Sequence, residues 1–290
     1  MKQQTMPSVV GERARVTFVV VVVVAGLSVF GGVFAFFGIA LAQTPSPDFG
    51  HFTYDAMASL NIKQTSVEAR NGVTIEDITY TGSSGDTVPA YLVIPKGTGK
   101  FAGIIWGHWL MEGAENSNRK EFLDEAIALA PNGIVSLLID APQTRPDFKP
   151  MPGIGPGLIA EQVVDLRRGV DLLLARADID GARVAYVGHS YDSVAGAILD
   201  AMDKRFAAFV FMAGPQSTWA YIDPYAKELG PALALFQYCL DDKEVPLADA
   251  KAYIVMASGP KVIKLYDADH GLNNLARMDR DKFLVDTLER

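Results

Sequence analysis

The stretch Ala182-Arg183-Val184-Ala185-Tyr186-Val187-Gly188-His189-Ser190-Tyr191-Asp192-Ser193 decides how the rest of the chain is read. Its first half is β-branched and aromatic, which favours a strand covered on both faces. Gly188 ends that run, Ser190 follows two residues later, and Ala195-Gly196-Ala197-Ile198-Leu199 reads as a helix. A strand that turns directly into a helix lifts the intervening side chain out of the sheet edge. The helix N-terminus behind it favours negative charge developing there. Gly-x-Ser is also common in ordinary turns, so the neighbouring elements must decide what Ser190 is for.

On both sides, strands and helices alternate. Val73 to Tyr80 and Val88 to Ile94, joined through Gly82 to Asp86, read as a hairpin. Phe101 to Trp106 and Ile134 to Ile139 are short apolar runs bounded by turn residues. Helical spacing covers Asn118 to Ala130 and Ile159 to Ala175, the first stopped by Pro131-Asn132-Gly133. After the serine come strands at Ala207 to Met212, Ala232 to Tyr238 and Val262 to Tyr266, and a last helix from about Arg277. This order implies an α/β fold, a mainly parallel central sheet with helices on both faces. The connection Ala213 to Pro231 has room for one short helix, so no large cap domain is expected. The Pro- and Gly-rich connection Ala141 to Leu158 follows a strand's C-terminal end and is expected to overhang the site.

The N-terminus divides from this body. Lys2, Arg13 and Arg15 precede a run from Val16 to Pro47 without a charged residue, in which Val19 to Val24 is unbroken valine. Its length suits a single membrane-spanning helix. Its Ala40-Leu41-Ala42 ending suits signal-peptidase cleavage. Residues 1–42 are therefore expected to be a signal peptide or a membrane anchor, residues 43–50 a linker, and residues 51–290 a single α/β domain. Either way the body lies outside the cytoplasm, and it meets the membrane through this segment if the segment is retained.

A net charge of -8 and the lack of a basic stripe in the body argue against nucleic acid as a partner. The single cysteine, Cys239, excludes an internal disulfide, and no Cys/His cluster has metal-ligand spacing.

Gly188-His189-Ser190-Tyr191-Asp192 resembles the nucleophile elbow of α/β-hydrolases, departing from Gly-x-Ser-x-Gly only at Asp192. The strand ending in His108-Trp109, the helix Phe122 to Ala130 and Ser136-Leu137-Leu138-Ile139-Asp140-Ala141 look like the dienelactone hydrolase-like and prolyl-oligopeptidase-like branch. So does Val164-Asp165-Leu166-Arg167-Arg168, running into Asp178-Ile179-Asp180 and the elbow. The resemblance covers nearly everything from Val73 to Leu288. It implies cleavage of an ester, lactone, thioester or peptide, a small-molecule acyl substrate, and neither metal nor organic cofactor.

It also implies roles. The family order is nucleophile, acid, histidine, and of the four histidines only His270 follows Ser190. The acid belongs to Leu240-Asp241-Asp242-Lys243-Glu244-Val245-Pro246, and counting back from Val-Pro in the resembling loops selects Asp242 over Asp241. One oxyanion-hole N–H would be that of Tyr191. The other would come from Gly107-His108-Trp109-Leu110, with Trp109 taken as donor and Leu110 its alternative. His189 is expected to be a packing residue. Asp192, where glycine is commonest, is expected as a carboxylate in the first helical turn, favoured there by the dipole. The leading function is a serine hydrolase of carboxylic esters or related acyl compounds. A prolyl-oligopeptidase-type peptidase is the second reading, and a non-catalytic, membrane-tethered binding protein the third.

Overall fold

The computed structural model describes residues 46–83, 85–148, 156–217 and 221–289. The segment read as signal peptide or anchor lies outside the described residues. Among the described residues no helix is long and apolar enough to cross a membrane.

Among the described residues nine strands form one sheet: β1 (Lys63–Arg70), β2 (Val73–Thr81), β3 (Thr87–Ile94), β4 (Phe101–Gly107), β5 (Ile134–Ile139), β6 (Ile179–His189), β7 (Ala208–Met212), β8 (Leu233–Cys239) and β9 (Lys261–Tyr266). Their order is β1-β2-β3-β5-β4-β6-β7-β8-β9. The first three are antiparallel, as is the β3–β5 pairing, and every pairing from β5 onward to β9 is parallel. The helices are α1 (Leu123–Leu129), α2 (Pro156–Leu174), α3 (Tyr191–Met202), α4 (Asp223–Ala226), α5 (Leu247–Met256) and α6 (Asn274–Leu288).

The two-residue period of the central strands sorts their side chains into two cores. From β6, Val184 and Tyr186 pack with residues of α2, α3 and α5, while Ala185 and Val187 pack with residues of α1 and α6. All residues of β4, β5 and β7 are buried, the pattern of strands covered on both faces. The expected α/β architecture is thus what the chain adopts. Between β7 and β8 the described residues hold only the four-residue helix α4, in keeping with the absence of a cap.

Four segments, helix α5 among them, differ from the sequence reading. Strand β1 had no signal, because it is an edge strand whose residues are nearly all exposed and so carry no apolar alternation. Helix α1 begins at Leu123 rather than Asn118. The preceding residues are held instead by Arg119, which ion-pairs with Asp77 and Asp140. Helix α6 begins at Asn274 because the Asn273 side chain accepts the Ala276 N–H, an asparagine cap. The end of the expected linker meets the body, where Tyr225 Oη donates to the Asp48 carbonyl at 2.8 Å, and just beyond it Phe52 is buried.

A buried ion pair joins α1 to α6 and is tied to the sheet through Gln237. Arg280 on α6 donates from Nε to Glu125 Oε1 on α1 at 2.7 Å and from a terminal nitrogen to Gln237 Oε1 on β8 at 3.0 Å. All three side chains are buried. Removing one partner strands the other charge in the interior, so Arg280→Ala is expected to cost about 3–5 kcal/mol, read as a lower urea midpoint. The double variant Arg280→Met with Glu125→Leu should recover part of that loss. Equal midpoints for wild type and Arg280→Ala would contradict this account.

Candidate active site

Ser190 stands between β6 and α3 with φ 52 and ψ −106. A positive φ is uncommon outside glycine and costs on the order of 1–3 kcal/mol, so the surroundings must enforce it. They do so with hydrogen bonds. Ser190 N–H donates to the Met212 carbonyl at the end of β7, 2.8 Å. The Ser193 hydroxyl accepts Met212 N–H at 3.0 Å and reaches the Gly188 carbonyl at 2.7 Å. Gly188 is required by space: a Cβ there would lie 2.4 Å from the Asp192 carbonyl oxygen and 2.7 Å from the Tyr186 ring.

The structure brings the three expected side chains together. Ser190 Oγ lies 2.8 Å from His270 Nε2, and His270 Nδ1 lies 2.9 and 3.1 Å from the two oxygens of Asp242. His270 sits in the loop between β9 and α6, Asp242 in the loop after β8. Main-chain bonds tie these two loops, from Leu240 N–H to the Tyr266 carbonyl and from Asp241 N–H to the Ala268 carbonyl. Burial alone would raise the Asp242 carboxyl. The bonds from His270 and from the Val245 and Glu244 amides outweigh it and hold the group below its usual range. Asp242 is therefore an anion against Nδ1, and its neighbour Asp241 is exposed.

The amide of Tyr191, the first helical residue, has no partner four residues back in its own helix and belongs to the elbow as expected. The Trp109 amide does not fit the role expected of it. It donates to Glu121 Oε2 at 2.8 Å and is thereby committed to a buried carboxylate. The next amide along the loop, that of Leu110, becomes the candidate. His108 is buried and kept neutral: burial lowers its pKa against the pull of its bond to the Trp109 carbonyl. Its Nε2 accepts the Ala141 N–H at 3.0 Å, so the ring hydrogen stands on Nδ1.

His189 is buried, as expected of a packing residue, but both ring nitrogens are engaged. Nδ1 meets Glu121 Oε1 at 2.5 Å, and Nε2 lies 2.9 Å from the main-chain carbonyl of His270. The sequence offered no sign of Glu121.

Asp192 also departs from expectation. Its side chain points inward, accepting from Gln162 Nε2 at 2.8 Å, and fills the space against Gly107, where a Cβ would come within 2.5 Å of the carboxyl carbon. Desolvation raises its pKa to about 8, the Gln162 bond opposing. At neutral pH it is mostly a neutral acid, not a dipole-stabilised anion. A folded-state pKa of about 8 against 3.8 in the unfolded chain means a stability contribution fully present below pH 3.8 and lost as pH rises to about 8. Asp192→Asn does not titrate. Urea midpoints of the two proteins should diverge in favour of the variant between pH 5 and pH 8 and run parallel above that. Parallel curves across the whole range would show that Asp192 is ionised in the fold.

No protein-family profile matches the sequence, and no curated protein does. Solved structures do match by shape. An acetyl xylan esterase from Paenibacillus sp. R4 aligns with a TM-score of 0.64 at 19% identity, over 80% of this chain and 90% of that one. Acetyl xylan esterase 1 from Thermoanaerobacterium sp. JW/SL YS485 gives 0.68 at 14% identity, over 84% and 95%. A cold-adapted esterase from an Arctic intertidal metagenomic library gives 0.60 at 18% identity, over 77% and 97%. With its mostly parallel nine-stranded sheet and its elbow between β6 and α3, the chain has the α/β-hydrolase fold.

Proposed function

We propose that this chain is a serine hydrolase that cleaves carboxylic esters or related acyl compounds through an acyl-enzyme. The observation that carries the reading is the continuous line Ser190 Oγ–His270 Nε2, His270 Nδ1–Asp242, with 2.8 and 2.9 Å contacts on a strained elbow. A serine hydroxyl is a weak nucleophile until a base takes its proton, and the base must be held in one tautomer. Asp242 accepts the Nδ1 hydrogen and so leaves the Nε2 lone pair facing Ser190. Ser190 Oγ attacks the acyl carbonyl, His270 takes the proton and returns it to the leaving group, and a water then repeats the sequence on the acyl-enzyme. The negative charge on the tetrahedral oxygen falls to the amides of Tyr191 and Leu110. The esterases with the same fold support an ester over a peptide bond as the scissile group.

Turnover of a short-chain aryl ester and labelling by a fluorophosphonate probe test the reading together. Ser190→Ala should abolish both without loss of stability. Asp242→Asn should lower turnover by about four orders of magnitude, as in the serine-protease case, while Asp241→Asn mostly keeps it. A Ser190→Ala protein that still turns over at wild-type rate would overturn the assignment.

We also place the catalytic body outside the cytoplasm, carried there by the uncharged N-terminal run. Intact-mass measurement on protein expressed from the full gene is expected to give a chain starting at Gln43 or an uncleaved, membrane-bound one. Recovery of the uncleaved chain in the cytosol would refute both.

A further inference from the structure

We propose that Glu121 and His189 form a positioning relay that holds the oxyanion loop and the His270 loop in register with Ser190. The proposal rests on the serine-hydrolase reading and gives a task to two side chains which that reading leaves idle.

Glu121 stands just ahead of α1 with its side chain 8% exposed, and His189, the residue before the nucleophile, is 1% exposed. The carboxylate is shared between two loops: Oε2 accepts the Trp109 amide, and Oε1 meets His189 Nδ1. Across the ring, Nε2 meets the His270 carbonyl. The atoms that meet the imidazole are a carboxylate oxygen on one side and a main-chain carbonyl on the other. The Trp109 ring stacks on the His189 ring, with centroids 4.9 Å apart and planes 19° apart. One buried line of atoms therefore runs from the loop after β4, through the elbow, to the backbone that carries the base. It joins residues 68 and 81 positions apart in the sequence.

Asp242 and the relay divide the placement of His270 between them. Asp242 fixes the rotation of the ring, and the bond from His189 fixes the main chain from which the ring hangs. Packing does not close the loop's other side: a cavity of about 450 Å³ is lined by Trp109, Glu121, Phe122, Gly271 and Leu272. A loop next to open space needs directed bonds to keep its place. Charge-assisted hydrogen bonds in a buried setting are the strong kind. Neither Glu121 nor His189 lies in the Ser190–His270–Asp242 line, so their effect on rate would come through the geometry of Nε2 and of the Leu110 amide. A displacement of about 1 Å at such a centre costs up to about a hundredfold in rate.

The test uses the full chain, 4-nitrophenyl acetate as substrate, and a fluorophosphonate to count competent sites. His189→Phe keeps an aromatic ring beside Trp109 and deletes both hydrogen bonds. It is expected to lower kcat per titrated site about 10- to 100-fold with KM little changed. Glu121→Ala should do the same. Glu121→Gln should recover part of the loss, because its carbonyl can still accept the Trp109 amide while its NH2 donates to Nδ1. A merely structural role would lower the melting temperature and leave kcat per site alone. Folded His189→Phe with wild-type kcat overturns the proposal. If His189→Phe does not fold, equal kcat in Glu121→Ala and Glu121→Gln overturns it. A wild-type protein that neither turns over ester nor takes the probe would instead fail the hydrolase reading, and the relay with it.

Discussion

The left-handed backbone of Ser190 is the constraint on which the rest of the site depends. It is costly for a residue with a Cβ, and it persists because β7 and α3 over-determine it. Met212 contributes both its carbonyl, to Ser190 N–H, and its amide, to the Ser193 hydroxyl, so the elbow is stapled to the end of the neighbouring strand. Tyr186 adds a third fixing point from below, its hydroxyl donating to the Asp192 carbonyl at 2.8 Å. The position after Tyr191 that is commonly glycine is thus occupied by Asp192, and both Asp192 and Ser193 have structural duties. Ser193 clamps the turn, and Asp192 fills the space that Gly107 leaves open. The chain reaches the elbow geometry with different parts, and Gly107 and Asp192 have to be read as a pair.

How much of this was legible in the sequence depends on where each signal resides. The parallel strands could be read because burial on both faces forces continuous apolar runs, as at Ile134–Ile139. The three residues proposed as nucleophile, base and acid could be picked out because each sits in a short stretch with a fixed order and spacing. Edge strand β1 could not, since an exposed strand owes its existence to the ladder with β2 and leaves no pattern in its side chains. Helix α5 was missed for a related reason: Ala250, Tyr253 and Ile254 are its only buried positions, too few for a clear stripe. Trp109 was misjudged as a donor because the partner that takes its amide, Glu121, is brought in by tertiary packing. In the sequence Glu121 lies among the charges of Asn118-Arg119-Lys120-Glu121 and reads as solvated.

The same lesson holds for the ion pairs, one buried and the other half-buried. Arg280 with Glu125 and Arg119 with Asp77 and Asp140 connect elements far apart in the chain, and each holds a segment next to the site. Arg119 fixes the residues that lead into Glu121. Arg280 fixes α6, whose first turn follows the His270 loop. Pairs of this kind add little net stability over an apolar alternative, but they are directional, and a direction is what loops without apolar anchors lack.

Carboxyl groups around Ser190 show how one fold keeps acids in distinct states within a small volume. Asp192 is desolvated, its neutral donor Gln162 does not offset that burial, and it is mostly neutral at pH 7. Asp242 is also buried but receives two amides and the His270 ring, and stays ionised. Glu121 is matched by His189 and by the Trp109 amide. Environments that drive neighbouring acids apart are how acid and base roles become distinct at one pH. Were Asp192 ionised under the elbow, its charge would oppose the oxyanion of the proposed reaction, at the same helix terminus. Burying it without a cationic partner removes that opposition, and only the negative charge of Asp242 is then directed at the imidazole of His270. The burial that makes Asp192 a poor anion thus suits an aspartate to its place beside the proposed nucleophile.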